Sequence, residues 1–130
     1  MKRLFDVVSC SLVLIIASPL ILIIAILIKI ESEGPVLYKQ KRNGKNMNVF
    51  LMYKFRSMKK SSNKYDTSPI IKDDHRITRI GRIIRRTSLD ELPQFFNVFF
   101  GDMSIVGPRP EMKFIVKNYN EFELLRLKIK

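Results

Sequence analysis

Residues 7–28 carry no formal charge and are mostly Val, Leu and Ile. At about 1.5 Å of rise per residue, an unbroken helix of that length crosses a hydrocarbon core of roughly 30 Å. A secretory signal peptide fits less well. The apolar run is long for one, and Lys29-Ile30-Glu31 is a poor small-residue cleavage site. Residues 1–30 therefore read as a membrane anchor and residues 31–130 as one small domain. Pro19 lies near the middle of the run, removes a backbone donor and predicts a kink, with Ser18 placed to satisfy a group the kink frees. Lys2 and Arg3 precede the run, and Lys29, Lys39, Lys41, Arg42 and Lys45 follow it. Basic flanks on both sides favour the cytoplasm for both ends, as in a helix bent at Ser18 and Pro19. Proline kinks also occur in spanning helices, so the residues alone leave both topologies open.

After Gly34-Pro35 the pattern shortens. Val36-Leu37-Tyr38 predicts a short strand and residues 49–55 a second, joined by a basic turn over residues 40–45 that bends through Asn43-Gly44. Lys54 and Arg56 share side-chain parity on the second strand, which could turn both towards one phosphate-bearing pocket. Two solvated cations on an edge strand are the plain alternative. Residues 59–72 are polar and read as a loop beside the site. From residue 74 to 86, Ile77, Ile80, Ile83 and Ile84 recur at helical spacing opposite Arg76, Arg79, Arg82 and Arg86, predicting an amphipathic helix.

Charge sharpens this picture. The chain's net charge is +12, and residues 39–86 hold fifteen basic residues against Asp66, Asp73 and Asp74. Such density suits polyanions: nucleic acid, anionic lipid or a phosphorylated substrate. An arginine stripe beside a membrane helix favours the membrane interface over nucleic acid. Cys10 is the single cysteine, so no disulfide forms within the chain, and its apolar setting makes it a small hydrophobe. His75, the single histidine, reads as an exposed loop residue rather than a metal ligand.

The candidate chemistry lies in Ser88-Leu89-Asp90-Glu91-Leu92-Pro93-Gln94. Pro93 suits the first position of a helix running to about Phe100, with Gly101 as its stop. Alternatively the helix starts at Ser88, with Ser88 and Glu91 as a capping box. Either way Asp90 and Glu91 sit by a positive helix end, which by itself is an ordinary capping arrangement. Downstream, Gly107-Pro108-Arg109-Pro110 holds Arg109 between two prolines with fixed φ.

These motifs, with Lys2-Arg3-x-Phe5-Asp6, Lys54-Phe55-Arg56-Ser57-Met58, Asp74-x-Arg76-Ile77-Thr78-x-x-Gly81 and Gly101-Asp102-Met103-Ser104, occur in order along the chain. Together they closely resemble the bacterial sugar transferase family, the monotopic phosphoglycosyl transferases of surface polysaccharide synthesis. The resemblance implies an α+β fold: a re-entrant helix-break-helix anchor, then a mostly helical catalytic domain with a short β-hairpin and an interfacial amphipathic helix. It implies Asp90 and Glu91 as catalytic dyad and Mg²⁺ site. Asp90 would be the nucleophile, and Glu91 a metal ligand or a proton handler. Arg109, Lys54 and Arg56 would bind phosphate, while Asp102 and Ser104 would orient their loop or the metal.

The implied substrates are a UDP-sugar and polyprenyl (undecaprenyl) phosphate at the cytoplasmic face of a bacterial inner membrane. Compatible partners are a second copy or other polysaccharide-pathway enzymes, and not nucleic acid. Family members continue into a Pro-Gly-x-Thr-Gly segment, which residues 124–130 only approach. The chain is therefore expected to be incomplete relative to the family. The competing expectation is an inactive homologue that binds membrane or partner through its anchor and basic stripe.

Overall fold

The computed structural model describes residues 1–59 and 74–128. The loop expected over residues 59–72 thus falls, except for Lys59, outside the described residues. What is described is a mixed α+β chain, as expected: a long apolar helix, a two-stranded antiparallel sheet and several short helices.

Helix α1 spans Lys2–Glu31 as one helix, extending the charge-free run at both ends. Helical structure continues through Pro19, so the bend expected at Ser18 and Pro19 does not divide the helix into two separate elements. Proline cannot donate to the carbonyl four residues back, which is that of Ile15. The Ser18 hydroxyl donates to it instead, at 2.8 Å, so the lost bond is replaced locally and the helix need not end. Within α1 only Asp6, Cys10, Ile24 and Ile28 are buried. Its most apolar 18 residues have mean hydropathy 3.1, and 11% of them are buried. Ile15 and Ile16 are about 70% exposed, a surface suited to lipid rather than water.

Strands β1 (Leu37–Asn43) and β2 (Val49–Phe55) pair with Leu37 opposite Phe55 and Asn43 opposite Val49. The segment Gln40 to Arg42, expected as turn, is therefore strand. Its charged side chains are tolerated because a two-stranded ribbon has solvent beside it. The turn lies further on, where the Gly44 N–H donates to the Asn48 carbonyl at 2.9 Å and Asn46 and Met47 take positive φ.

Helix α2 is Arg79–Arg86, shorter than the expected 74–86. The start is set by capping: the Thr78 hydroxyl accepts from Gly81 N–H at 2.9 Å. Both carboxylate oxygens of Glu31 accept from the N–H groups of Arg79 and Ile80, at 2.6 and 2.9 Å. Upstream, Arg76 folds back onto Asp74, whose carboxyl the Arg76 hydrogen bonds hold down at about 2. Ile77 bridges to Met58. A side chain at Gly81 would overlap the Ser57 carbonyl, so glycine lets α2 approach the end of β2.

The core joins Ile24 and Ile28 of α1 to Phe55 and Ile84, with Ile80, Leu89 and Leu92 packed around them. Helix α3 (Gln94–Phe100) follows Pro93 and stops at Gly101, whose φ of 98° is open to glycine. Asn97 is fully buried and stitches α3 to β2: it accepts from Tyr53 N–H at 2.9 Å and donates to the Leu51 carbonyl at 2.7 Å. Short helices α4 (Lys113–Val116) and α5 (Glu121–Leu124), with a 3₁₀ helix over Leu125–Lys128, complete the described chain.

Candidate active site

Asp90 and Glu91 lie in a single 3₁₀ turn, Leu89–Glu91, between α2 and α3. Ser88 enters the turn at φ 57° and caps nothing with its side chain. This excludes the Ser88 capping box and favours the start at Pro93. Left-handed backbone at a serine is strained, and here it turns the chain so that both carboxylates follow directly on the core residue Leu89.

The two carboxylates have different surroundings. Glu91 Oε1 accepts from Lys54 Nζ at 2.9 Å and also from the Arg109 guanidinium. Burial pushes the Glu91 carboxyl up, but the bond and charge of Lys54, with Arg109, outweigh it and hold it below its ordinary value. Asp90 receives no hydrogen bond from another described residue. Its carboxyl is raised, first by burial and then by the neighbouring Glu91 charge, against the opposing pull of Lys54 and Arg85. One acid is thus fixed by cations while the other is half-buried and open.

Of the three expected phosphate-binding cations, the structure brings two to the dyad. Lys54 reaches it from β2, and Arg109 from its proline-braced loop with its side chain 61% exposed. Arg56 is corrected. Strand β2 ends at Phe55, and the buried Arg56 guanidinium donates instead to the Ser32 and Glu33 carbonyls, at 2.6 and 2.7 Å, and to the Ser32 hydroxyl at 2.9 Å. It clamps the end of α1, so Lys54 and Arg56 do not share a pocket. Asp102 accepts from the Asn97 amide at 3.2 Å, and Ser104 donates to Asp6 at 2.7 Å, so these two hold the loop that leads to Arg109. His75 is exposed in a turn.

Sequence reasoning missed four residues that build this setting. Arg85, in the last turn of α2, acts on Asp90 through its charge, and its Nη1 is buried with no partner among the described residues. Its place five residues before Asp90, beyond the hydrophobic stripe, was the available signal. Arg3 donates to the Val98 and Phe99 carbonyls, both at 2.6 Å, while buried Asp6 accepts from Ser104 and from Ile105 N–H. With Glu31 at the other end, these residues tie both ends of α1 to the domain that carries the dyad. No local pattern announces such long-range ties.

The sequence model described as "Bacterial sugar transferase" matches residues 1–129. The chain belongs to this family. It is 45% identical over 119 residues to a UDP-N-acetylgalactosamine-undecaprenyl-phosphate N-acetylgalactosaminephosphotransferase of Aeromonas hydrophila, covering 92% of this chain and 28% of that protein. It is 51% identical over 112 residues to the exopolysaccharide production protein PSS of Rhizobium leguminosarum bv. phaseoli, covering 84% and 55%. With the UDP-glucose:undecaprenyl-phosphate glucose-1-phosphate transferase of Escherichia coli K12 it shares 42% identity over 133 residues, covering 100% and 29%. The chain thus spans between about a quarter and just over half the length of these relatives.

Proposed function

We propose that the protein transfers a sugar-1-phosphate from a UDP-sugar to a polyprenyl phosphate, initiating surface polysaccharide synthesis, with Asp90 as covalent nucleophile. The observation that carries this reading is the asymmetry of the dyad: Glu91 is held by Lys54 and Arg109, while the Asp90 carboxylate is open beside them. An Asp90 oxygen attacks the sugar-linked phosphorus, and the bond from that phosphorus to the bridging oxygen breaks. UMP departs with the bridging oxygen and its electron pair. A polyprenyl phosphate oxygen then attacks the same phosphorus and expels the Asp90 carboxylate. Splitting one transfer into two displacements is the usual gain of covalent catalysis. Arg109 and Lys54 supply fixed positive charge where the diphosphate must lie.

The donor set also fits Mg²⁺. Among the described residues no cluster of three or more acids, histidines or cysteines could cage an ion. An Asp–Glu pair completed by substrate oxygens is what Mg²⁺ commonly takes. Asp90 and the second oxygen of Glu91 would hold it, and it would supply charge to the diphosphate.

The ties at both ends of α1 support a reading of its topology. Arg3 and Asp6 at one end, and Glu31 and Ser32 at the other, bond to the same small domain. A spanning helix would set its ends on opposite faces of a core roughly 30 Å thick, whereas bonds from both ends to one small domain favour a single face for both. We infer a re-entrant anchor with the domain on the cytoplasmic side of the inner membrane, as the basic flanks favour.

The test places the protein in membranes with a panel of UDP-sugars, Mg²⁺ and undecaprenyl phosphate. Wild type releases UMP with one or a few of the sugars, and Asp90→Asn releases none. No release by wild type, or equal release by the variant, overturns the covalent reading. For topology, Lys2→Cys and Lys45→Cys, each made with Cys10→Ser, should both label from the cytoplasmic face. Labelling from opposite faces defeats the re-entrant anchor.

A further inference from the structure

A cavity lies between the turn of the hairpin and the loop that carries Arg109. It is lined by Asn43 and Lys45 from the hairpin, Met103, Pro108 and Arg109 from the loop, and Tyr119 beyond α4. Asp102 and Ser104 also line it, but their side chains are already bonded, to Asn97 and Asp6. Asn43 differs. Only 2% exposed, it is fixed by its backbone on both sides: it pairs with Val49 across the hairpin, and its N–H donates to the Glu111 carbonyl at 2.9 Å. Its side-chain Oδ1 is nevertheless buried with no hydrogen-bond partner among the described residues. An unmet buried acceptor costs about 1–3 kcal/mol, and a ligand group that bonds the amide recovers that loss.

We propose that this cavity takes the sugar of the donor, with Asn43 as the residue that reads a ring hydroxyl and Tyr119 as an aromatic wall for the ring. This deepens the proposed transfer and rests on that reading for the identity of the donor. Distance along the donor favours the sugar as occupant. The cavity borders Arg109, which bonds Glu91 beside the nucleophile. The sugar is joined to the attacked phosphorus through one oxygen, whereas the uracil lies beyond a second phosphate and a ribose. A hydroxyl both donates and accepts, so it can meet either end of the Asn43 amide. A pocket that hydrogen-bonds one hydroxyl discriminates against the epimer that turns it away, because the amide is then left unmet. Asn43 is therefore a specificity-determining residue, and it leaves the phosphate chemistry to Arg109 and Lys54.

Binding is measured by calorimetry on the full chain in nanodiscs with Mg²⁺, in an Asp90→Asn background so that no turnover intervenes. A panel of UDP-sugars that differ at single hydroxyls identifies the preferred donor, and UMP serves as the sugar-free probe. Asn43→Ala should weaken the preferred UDP-sugar about tenfold, flatten the preference among epimers and leave UMP unchanged. Tyr119→Ala, on a separate segment, should also weaken the UDP-sugar and spare UMP, so misfolding of one variant leaves the other to decide. Equal weakening of UMP puts the nucleoside in the cavity and overturns the proposal. Unchanged affinity and preference in both variants overturn it as well. Selective binding that Asn43 controls, in a wild type that releases no UMP, supports the cavity and overturns only the transfer reading. A chain that binds no UDP-sugar overturns both.

Discussion

Two regions of the molecule are equally rich in charge and motif, yet they use charge differently. Where β2 ends against α1 and α2, each ionic group is matched to backbone or to a near neighbour. Arg56 donates to the carbonyls of residues 32 and 33, Glu31 accepts from the N–H groups of residues 79 and 80, and Arg76 folds onto Asp74. At the dyad, Lys54 and Arg109 converge on one oxygen of Glu91, and Asp90 beside them is open. A charge paired to backbone is locked into the fold, since moving it strands a buried peptide group. A charge paired to another side chain near the surface can exchange that partner for a ligand. Motif residues of the same type therefore divide into scaffold and chemistry by what they bond, not by what they are.

Replacing Arg56 tests the scaffold side hardest. Arg56→Ala strips three hydrogen bonds from the end of α1 and leaves the Ser32 and Glu33 carbonyls without that partner, which costs about 3 kcal/mol of stability. Thermal unfolding in nanodiscs should show the loss, while the folded fraction keeps its KM for the UDP-sugar. A raised KM would put Arg56 with the chemistry and break the comparison. Arg109→Ala should do the reverse. With its side chain 61% exposed it contributes little to folding, but its loss lowers kcat/KM for the donor on the order of a hundredfold. An unchanged rate would return Arg109 to the scaffold. Gly81→Ala comes next, costing about 2 kcal/mol as the new methyl drives α2 off the Ser57 carbonyl. Activity per folded molecule should be intact, and equal stability to wild type would remove the close-approach explanation.

The sequence made local structure legible where one pattern dominated. Strand β2 fell at its predicted residues 49–55, and α3 ran from beside Pro93 to Gly101, because alternating or bounded apolar runs have few other solutions. Helix α2 was overextended, since Ile77 matches the helical stripe but pairs with Met58, and the Thr78 cap starts the helix later. Asp90, Glu91 and Arg109 were visible through their motifs. The role of Arg56 was not: its side-chain parity pointed to a pocket, and only the folded position of residues 32 and 33 shows what it holds. Arg3, Asp6, Glu31 and Arg85 escaped for the same reason, each acting on a segment dozens of residues away or on a neighbouring turn. Local periodicity carries no trace of such ties.

The finest test of the comparison is the pH profile, because it separates a cation that serves chemistry from one that serves the fold. In the proposed mechanism Asp90 attacks as the ionised carboxylate, and its carboxyl is raised by burial and by Glu91, so the acid limb of kcat/KM should lie above the ordinary aspartate value. Lys54 pulls both acids down. In Lys54→Met both rise, and the limb moves to higher pH. The stability signs are opposite for the two groups. Glu91, depressed in the fold, contributes stability above its unfolded value, lost as pH falls through its folded one. Asp90, raised in the fold, contributes stability below its unfolded value, lost as pH rises through its folded one. Removing Lys54 weakens the first contribution and strengthens the second, so the stability maximum of the variant shifts towards acid while its activity limb shifts towards base. A purely structural Lys54 would lower the activity plateau and leave the limb where it was. Opposed shifts of stability and activity in one variant are therefore the signature of a lysine that tunes the dyad.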